Sequence, residues 1–134
     1  MSSSSRSVLF CLLTLLSSNS VLGFGFGVAK THVRITNTLE GGLDLTVHCK
    51  SKDDDIGEQH LHSNAFFDFQ FATNIFGTTL FYCSFQWEDN FQWFDIYVEK
   101  RDGLRCDDCF WNVQQDGPCF LAKDKSVDCY YWKK

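Results

Sequence analysis

Alternating apolar and polar positions divide the chain into short segments from residue 31 onward. In the clearest segment, residues 79–87, every second side chain is large and apolar or a cysteine: Phe81, Cys83, Phe85 and Trp87. A period of two is typical of a β-strand with one buried face. The same alternation predicts strands over residues 31–36, 43–49, 65–71, 92–100, 109–113 and 118–121.

Turn residues separate these predicted strands, and no segment has a convincing helical period. Gly41–Gly42, Asp102–Gly103 and Asp116–Gly117 are the clearest turn signals. About seven or eight short strands spaced by such turns are typical of an all-β sandwich or barrel. We therefore predict an all-β fold, a disulfide-stabilised antiparallel β-sandwich with immunoglobulin-like architecture.

The aromatic residues fall on both sides of the predicted strands. Trp87 and Trp111 share the apolar face of their strands, so we expect them in the core. In residues 92–100 the alternation places Trp93 and Tyr97 on the polar side, opposite Phe94. These two rings are therefore predicted to be exposed.

The first 23 residues resemble a secretory signal peptide. Arg6 precedes an apolar run over residues 8–16, which is too short to cross a bilayer, and small residues follow it. No later segment has the length and apolarity of a membrane span. We predict that residues 1–23 are removed, that residues 24–134 form one domain, and that the mature protein is secreted and extracellular, without stable membrane insertion.

Cysteine usage is consistent with export. Cys11 belongs to the predicted signal peptide, which leaves an even number in the mature chain: Cys49, Cys83, Cys106, Cys109, Cys119 and Cys129. In a short secreted chain this predicts a disulfide framework. Sequence alone does not choose among the roughly 15 possible pairings; the pairing we expect is Cys49–Cys119, Cys83–Cys109 and Cys106–Cys129.

Charge narrows the class of partner. The formal net charge is -5 at pH 7. It becomes about -6 when Arg6 is removed with the signal peptide, which disfavours binding to nucleic acid or to anionic lipid. The 14 Phe and 4 Trp residues supply enough apolar bulk for a packed core.

The acidic segment over residues 50–60 is the strongest candidate for recognition. It is predicted to be an exposed loop, with five charged residues as the candidate contacts: Lys52, Asp53, Asp54, Asp55 and Glu58. Carboxylates also bind Ca²⁺, but the segment lacks the alternating acidic positions, central glycine and terminal glutamate of an EF-hand loop. A charged loop that steers and selects a partner is the preferred interpretation.

Other candidate chemistry is weaker, and we predict no catalytic residue, metal ligand or cofactor. His60 and His62 have no complete set of zinc ligands beside them. Cys106 and Cys109 have the spacing of a redox or zinc motif, but they lack the strand–helix context of a redox site. Three acidic residues could be offered as glycosidase carboxylates, but the first two belong to a polar turn: Glu88, Asp89 and Asp95.

Several sequence blocks occur in an order that resembles a known family. They are residues 47–57 (VHCKSKDDDIG), 76–87 (FGTTLFYCSFQW), 93–97 (WFDIY), 105–111 (RCDDCFW) and 116–119 (DGPC). Together they resemble the plant self-incompatibility S-protein homologues, from about His32 to Trp132. The resemblance implies a compact β-sandwich held by disulfides and an extracellular ligand rather than an enzyme. The founding members are ligands secreted by the stigma that act on a pollen membrane receptor.

Two differences from the family pattern leave the expected fold intact. The chain has no Asn-x-Ser/Thr acceptor for N-glycosylation, and its tail ends in Tyr130–Tyr131–Trp132 where many homologues have a proline. The leading hypothesis is a monomeric signalling ligand that binds a cell-surface receptor through its loops. The alternative is a carbohydrate- or wall-binding defence module that uses Trp93 and Tyr97. A hydrolase is the third class, without an evident acid–base pair.

Overall fold

A computed structural model describes residues 29–133, and the predicted signal peptide lies outside these residues. The described part contains nine strands and one short helix. In chain order they are β1 (Lys30–Asn37), β2 (Leu45–Lys50), β3 (Asp55–Leu61), β4 (Phe66–Ala72), β5 (Leu80–Trp87), β6 (Asn90–Val98), α1 (Glu99–Asp102), β7 (Asp108–Gln114), β8 (Gly117–Leu121) and β9 (Val127–Cys129).

The strands form two sheets, which confirms the predicted sandwich. One sheet has the order β4-β1-β7-β8-β9 and the other has the order β3-β2-β5-β6. Within the described residues every neighbouring pair is antiparallel except β1 and β7, which run parallel from His32 opposite Asp108 to Asn37 opposite Val113. This two-layer arrangement is compatible with immunoglobulin-like architecture.

The core lies between the sheets and is built from the alternating apolar positions. Phe85 on β5 and Trp111 on β7 are fully buried, as the alternation predicts. Aromatic rings meet across the two layers: Phe94 lies 5.3 Å from Trp111, and Phe71 lies 4.4 Å from Phe81, between ring centroids. The burial of these rings is the main favourable term that holds the layers together.

Tyr97 was predicted to be exposed, and this prediction is wrong. Phe81 on β5 pairs with Tyr97, but Cys83, two residues further on, pairs with Phe94, so β6 contains one extra residue. This β-bulge interrupts the alternation, and both Ile96 and Tyr97 are therefore buried. Tyr97 packs 4.9 Å from Phe71 and cannot serve as an exposed ring.

Three element boundaries also differ from the prediction. Most of the acidic segment is strand, because β3 begins at Asp55 and pairs with β2. The helix α1 follows β6 directly, so Asp102 and Gly103 close a helical turn and not a hairpin. In this turn the Gly103 N–H donates to the Glu99 carbonyl at 2.8 Å. The short edge strand β9 has no clear alternation in the sequence.

The carboxyl-terminal tail covers the end of the core. Trp132 packs 5.3 Å from Phe85 and 5.9 Å from Trp87, and its indole N–H donates to the Gln115 carbonyl at 2.8 Å. The tail passes directly over Gly117, whose φ is +149°. A Cβ atom at Gly117 would overlap the backbone carbonyl of Tyr130, so only glycine fits there.

Replacing Gly117 by alanine is therefore expected to lower the free energy of unfolding by about 3 kcal/mol, because the tail must move away from the sheet. Gly42→Ala is a suitable control: Gly42 also has a positive φ of +70°, but a Cβ atom added there would have no atom within 4 Å. This control should lose only about 1 kcal/mol from backbone strain. Denaturant titration measures both values, and equal losses would contradict the close approach of the tail.

The six cysteines within residues 29–133 form three disulfides, and the expected pairing is wrong for each of them. The bonds are Cys49–Cys83, Cys106–Cys109 and Cys119–Cys129. Two of the expected bonds, Cys49–Cys119 and Cys83–Cys109, joined strands of different sheets, and the third started from Cys106, which lies between α1 and β7. The register instead places Cys49 directly opposite Cys83 on neighbouring strands of one sheet, and Cys119 directly opposite Cys129 in the other. The remaining two cysteines lie in and beside the short connection that leads into β7.

Candidate recognition surface

The loop between β2 and β3 is short and internally fixed. We call residues 51–54 the acidic loop. The Ser51 N–H donates to the Asp54 carbonyl at 2.8 Å, and the Asp54 N–H donates to the Ser51 hydroxyl oxygen at 3.0 Å. Lys52, Asp53 and Asp54 are exposed, and their side chains form no hydrogen bond or ion pair within residues 29–133. The loop thus presents three charged groups on a fixed turn.

The other two predicted contact residues lie on β3 and are engaged within the fold. Asp55 accepts hydrogen bonds from His48 at 2.6 Å and from the Gly57 N–H at 2.9 Å. These two hydrogen bonds lower the pKa of Asp55 below its ordinary value, and the one from His48 has the larger effect. Glu58 lies 3.2 Å from His60. The structure therefore separates Asp55 and Glu58 from the three residues of the acidic loop.

The connection between β4 and β5 presents apolar side chains that the sequence analysis did not single out. We call residues 73–79 the apolar loop. Ile75 is 91% exposed and Phe76 is 79% exposed. Both follow Asn74, whose side-chain carbonyl accepts the N–H groups of Phe76 and Thr78 at 3.0 and 3.1 Å. A turn at residues 73–77 with an apolar tip is the signal in the sequence that indicates a contact surface here.

A cleft of about 660 Å³ separates the acidic loop from the apolar loop. The register explains why the two loops are close: Lys50 at the end of β2 lies opposite Tyr82 near the start of β5. Phe71 and Leu80 contribute to the walls between the loops. One rim of the cleft is therefore acidic and the other is apolar, an arrangement suited to a partner with both basic and apolar side chains.

A second concave site lies beside β6, α1 and the carboxyl-terminal tail. We call it the aromatic pocket; it has a volume of about 430 Å³ and is lined by Trp93, Phe94, Asp95, Arg101, Tyr130, Tyr131 and Lys133. Trp93 is 53% exposed, as predicted, and Tyr131 is 78% exposed. The pocket thus combines accessible aromatic rings with charged groups, a combination that suits a polar ring such as a sugar.

The histidines and acidic residues considered as metal ligands or catalytic groups do not form a common site. His60 contacts Thr46 and Glu58, whereas His62 contacts Asp44 at 3.0 Å. Among residues 29–133 no group of three or more His, Cys, Asp or Glu side chains is placed to hold a metal ion. Glu88 and Asp89 lie on the turn between β5 and β6, whereas Asp95 lines the aromatic pocket.

The described residues contain no helix that has both the length and the apolar character required to cross a membrane.

Comparison with known proteins finds consistent similarity over most of the chain. A family described as plant self-incompatibility protein S1 matches residues 32–132. S-protein homolog 5 of Arabidopsis thaliana is 47% identical over 103 residues, which cover 77% of this chain and 78% of that protein. S-protein homolog 3 of the same plant is 48% identical over 106 residues, which cover 75% of this chain and 71% of that protein.

A solved structure has the same fold. It is described as an SPH (self-incompatibility protein homologue) structure, from a widespread family of small, highly stable, secreted proteins from plants. The TM-score is 0.61 at 20% sequence identity, and the alignment covers 82% of this chain and 100% of that chain. The likeness confirms the two-sheet architecture described above.

Proposed function

Because this chain belongs to the plant self-incompatibility protein S1 family, we propose that it is a small secreted ligand that binds a cell-surface receptor. The family match and the predicted signal peptide over residues 1–23 support export. The mature domain, residues 24–134, acts as a monomer and by binding, without catalysis or a cofactor.

The cleft between the acidic loop and the apolar loop is the observation that carries this proposal. Both loops are fixed by their own hydrogen bonds, so little conformational entropy is lost when a partner binds. Ile75 and Phe76 supply apolar area that the fold leaves uncovered. Asp53 and Asp54 supply charge that attracts a basic surface and excludes an acidic one.

Neutralising the acidic loop by Asp53→Asn and Asp54→Asn is expected to weaken receptor binding about tenfold, equivalent to about 1.4 kcal/mol. The loss should shrink at high salt, because exposed charges are screened there. The melting temperature should stay nearly unchanged, since both side chains are exposed and neither forms a hydrogen bond or ion pair within residues 29–133. Binding of the labelled mature protein to plant cell surfaces measures the effect.

Glu88→Gln with Asp89→Asn is the matched control. It also removes two negative charges, but from an exposed turn at the opposite end of β5. Its binding should stay within about twofold of that of the unmodified protein. A second variant, Ile75→Ser with Phe76→Ser, tests the apolar rim and should weaken binding at all salt concentrations. Full binding by both loop variants would show that the receptor contacts another surface.

Carbohydrate binding is the second candidate function, and the aromatic pocket favours it. Tyr97 is buried, so it cannot contact a sugar as the carbohydrate-binding hypothesis expected. Trp93 and Tyr131 instead provide two exposed rings beside charged groups. Aromatic faces of this kind pack against the apolar face of a sugar ring. A glycan array separates the two functions, because a specific glycan signal that disappears in Trp93→Ala supports the carbohydrate-binding module.

A further inference from the structure

We infer that the aromatic pocket binds an acidic saccharide, one whose sugar ring carries a carboxylate. This inference deepens the carbohydrate-binding candidate and does not depend on receptor binding. It rests on a positioned guanidinium group, on two exposed aromatic rings and on the balance of charge around them.

Arg101 is the positioned cation of the pocket. Its Nε donates to Asp102 at 2.8 Å, and its Nη2 donates to Asp102 at 2.7 Å and to the Asp95 carbonyl at 2.9 Å. Nη1 makes no hydrogen bond within residues 29–133. The side chain lines the pocket and is partly exposed, so Nη1 is the nitrogen available to an incoming acceptor.

Aromatic contacts hold this guanidinium group in place. The Arg101 Cζ atom lies 5.3 Å from the ring centroids of Phe94 and Tyr130, and 5.2 Å from that of Trp111. Such contacts fix an arginine without using its N–H groups. Because the side chain is already fixed, binding a carboxylate there requires little further ordering.

The remaining lining residues distinguish an acidic saccharide from other anions. Trp93 and Tyr131 are both more than half exposed and offer flat apolar faces to a sugar ring. Lys133 adds a second cation, and the exposed carboxylate of Asp95 can accept hydrogen bonds from sugar hydroxyl groups. A small inorganic anion would use the cations but would leave the rings and the Asp95 carboxylate without a partner.

The test measures binding of the mature protein to a galacturonate trisaccharide by isothermal titration calorimetry, with its methyl ester as the uncharged probe. We expect the acid to bind about tenfold more tightly than the ester, because only the acid pairs with Arg101 and Lys133. Lys133→Gln should reduce this preference severalfold. Trp93→Ala should weaken binding of both probes about tenfold.

Phe66→Ala is the matched control. Phe66 is 51% exposed, close to the 53% of Trp93, but it lies on β4 in the other sheet and does not line the pocket. This variant should bind within about twofold of the unmodified protein. All three substitutions are at exposed positions, so folding is preserved.

Three results would overturn the inference. Equal affinity for acid and ester means that the pocket does not recognise the carboxylate. The carbohydrate-binding candidate would then stand without the preference for an acidic saccharide. Tight binding that Trp93→Ala leaves intact places the acidic saccharide elsewhere on the surface. Absence of binding to either probe, together with a blank glycan array, removes the carbohydrate-binding candidate as well. Comparing the soluble trisaccharide with isolated wall polymer shows which source of acidic sugar the protein takes.

Discussion

Replacing Cys49 and Cys83 by alanine should lower the free energy of unfolding by about 4 kcal/mol. This disulfide spans 34 residues, more than either of the other two bonds. In the chain-entropy account, closing a longer loop removes more freedom from the unfolded chain. Both cysteines are fully buried between the sheets, so the substitution also removes two core sulfur atoms.

The Cys106–Cys109 bond provides the comparison, because it closes a loop of only three residues. Replacing this pair by alanine should cost about 2 kcal/mol. Guanidinium titration of the oxidised proteins measures both losses, and equal midpoints for the two double variants would contradict the entropic explanation. Mass spectrometry of the unreduced mature protein without substitutions should find no free thiol.

Replacing Asp102 by alanine should cost about 4 kcal/mol. Its carboxylate is fully buried and accepts four hydrogen bonds: one from the Val98 N–H at 3.0 Å, two from Arg101, and one from Arg105 at 2.9 Å. Alanine leaves the Val98 N–H and both guanidinium groups without their shared acceptor. An uncompensated charge in this setting is the source of the large loss.

Asp107→Ala is the control for Asp102→Ala, because Asp107 is exposed and only its backbone carbonyl is used, by the His32 N–H at 2.8 Å. It should change the free energy of unfolding by no more than about 0.5 kcal/mol. Thermal unfolding, followed by circular dichroism, measures both variants. If Asp102→Ala lost as little free energy of unfolding as Asp107→Ala, water would be replacing the buried carboxylate at no cost.

Much of the fold could be predicted from the alternation of side chains, because one face of each strand must be buried. Residues 79–87 show this best, and their four predicted core residues are all buried. The alternation failed at Tyr97, since a bulge adds one residue and depends on pairing with β5. It also failed at the disulfides, because pairing requires the order of strands in each sheet, which spacing along the chain does not give.

The recognition surface was predictable only in part. The charge of Asp53 and Asp54 is visible in the sequence, but the engagement of Asp55 with His48 depends on the β2–β3 register. Ile75 and Phe76 look like core residues until the turn built on Asn74 places them outside. The aromatic pocket joins β6, α1 and the tail, which are distant in sequence, so no local pattern indicates it.

The parallel pairing of β1 with β7 has a consequence for synthesis. His32 and its partner Asp108 are 76 residues apart, so one edge of β1 has no partner until most of the chain has been made. The other edge can pair earlier with β4. Long-range pairing of this kind slows folding, and an open strand edge invites pairing with other chains. A nascent chain that stops before β7 would therefore expose the β1 edge and be prone to aggregate during export.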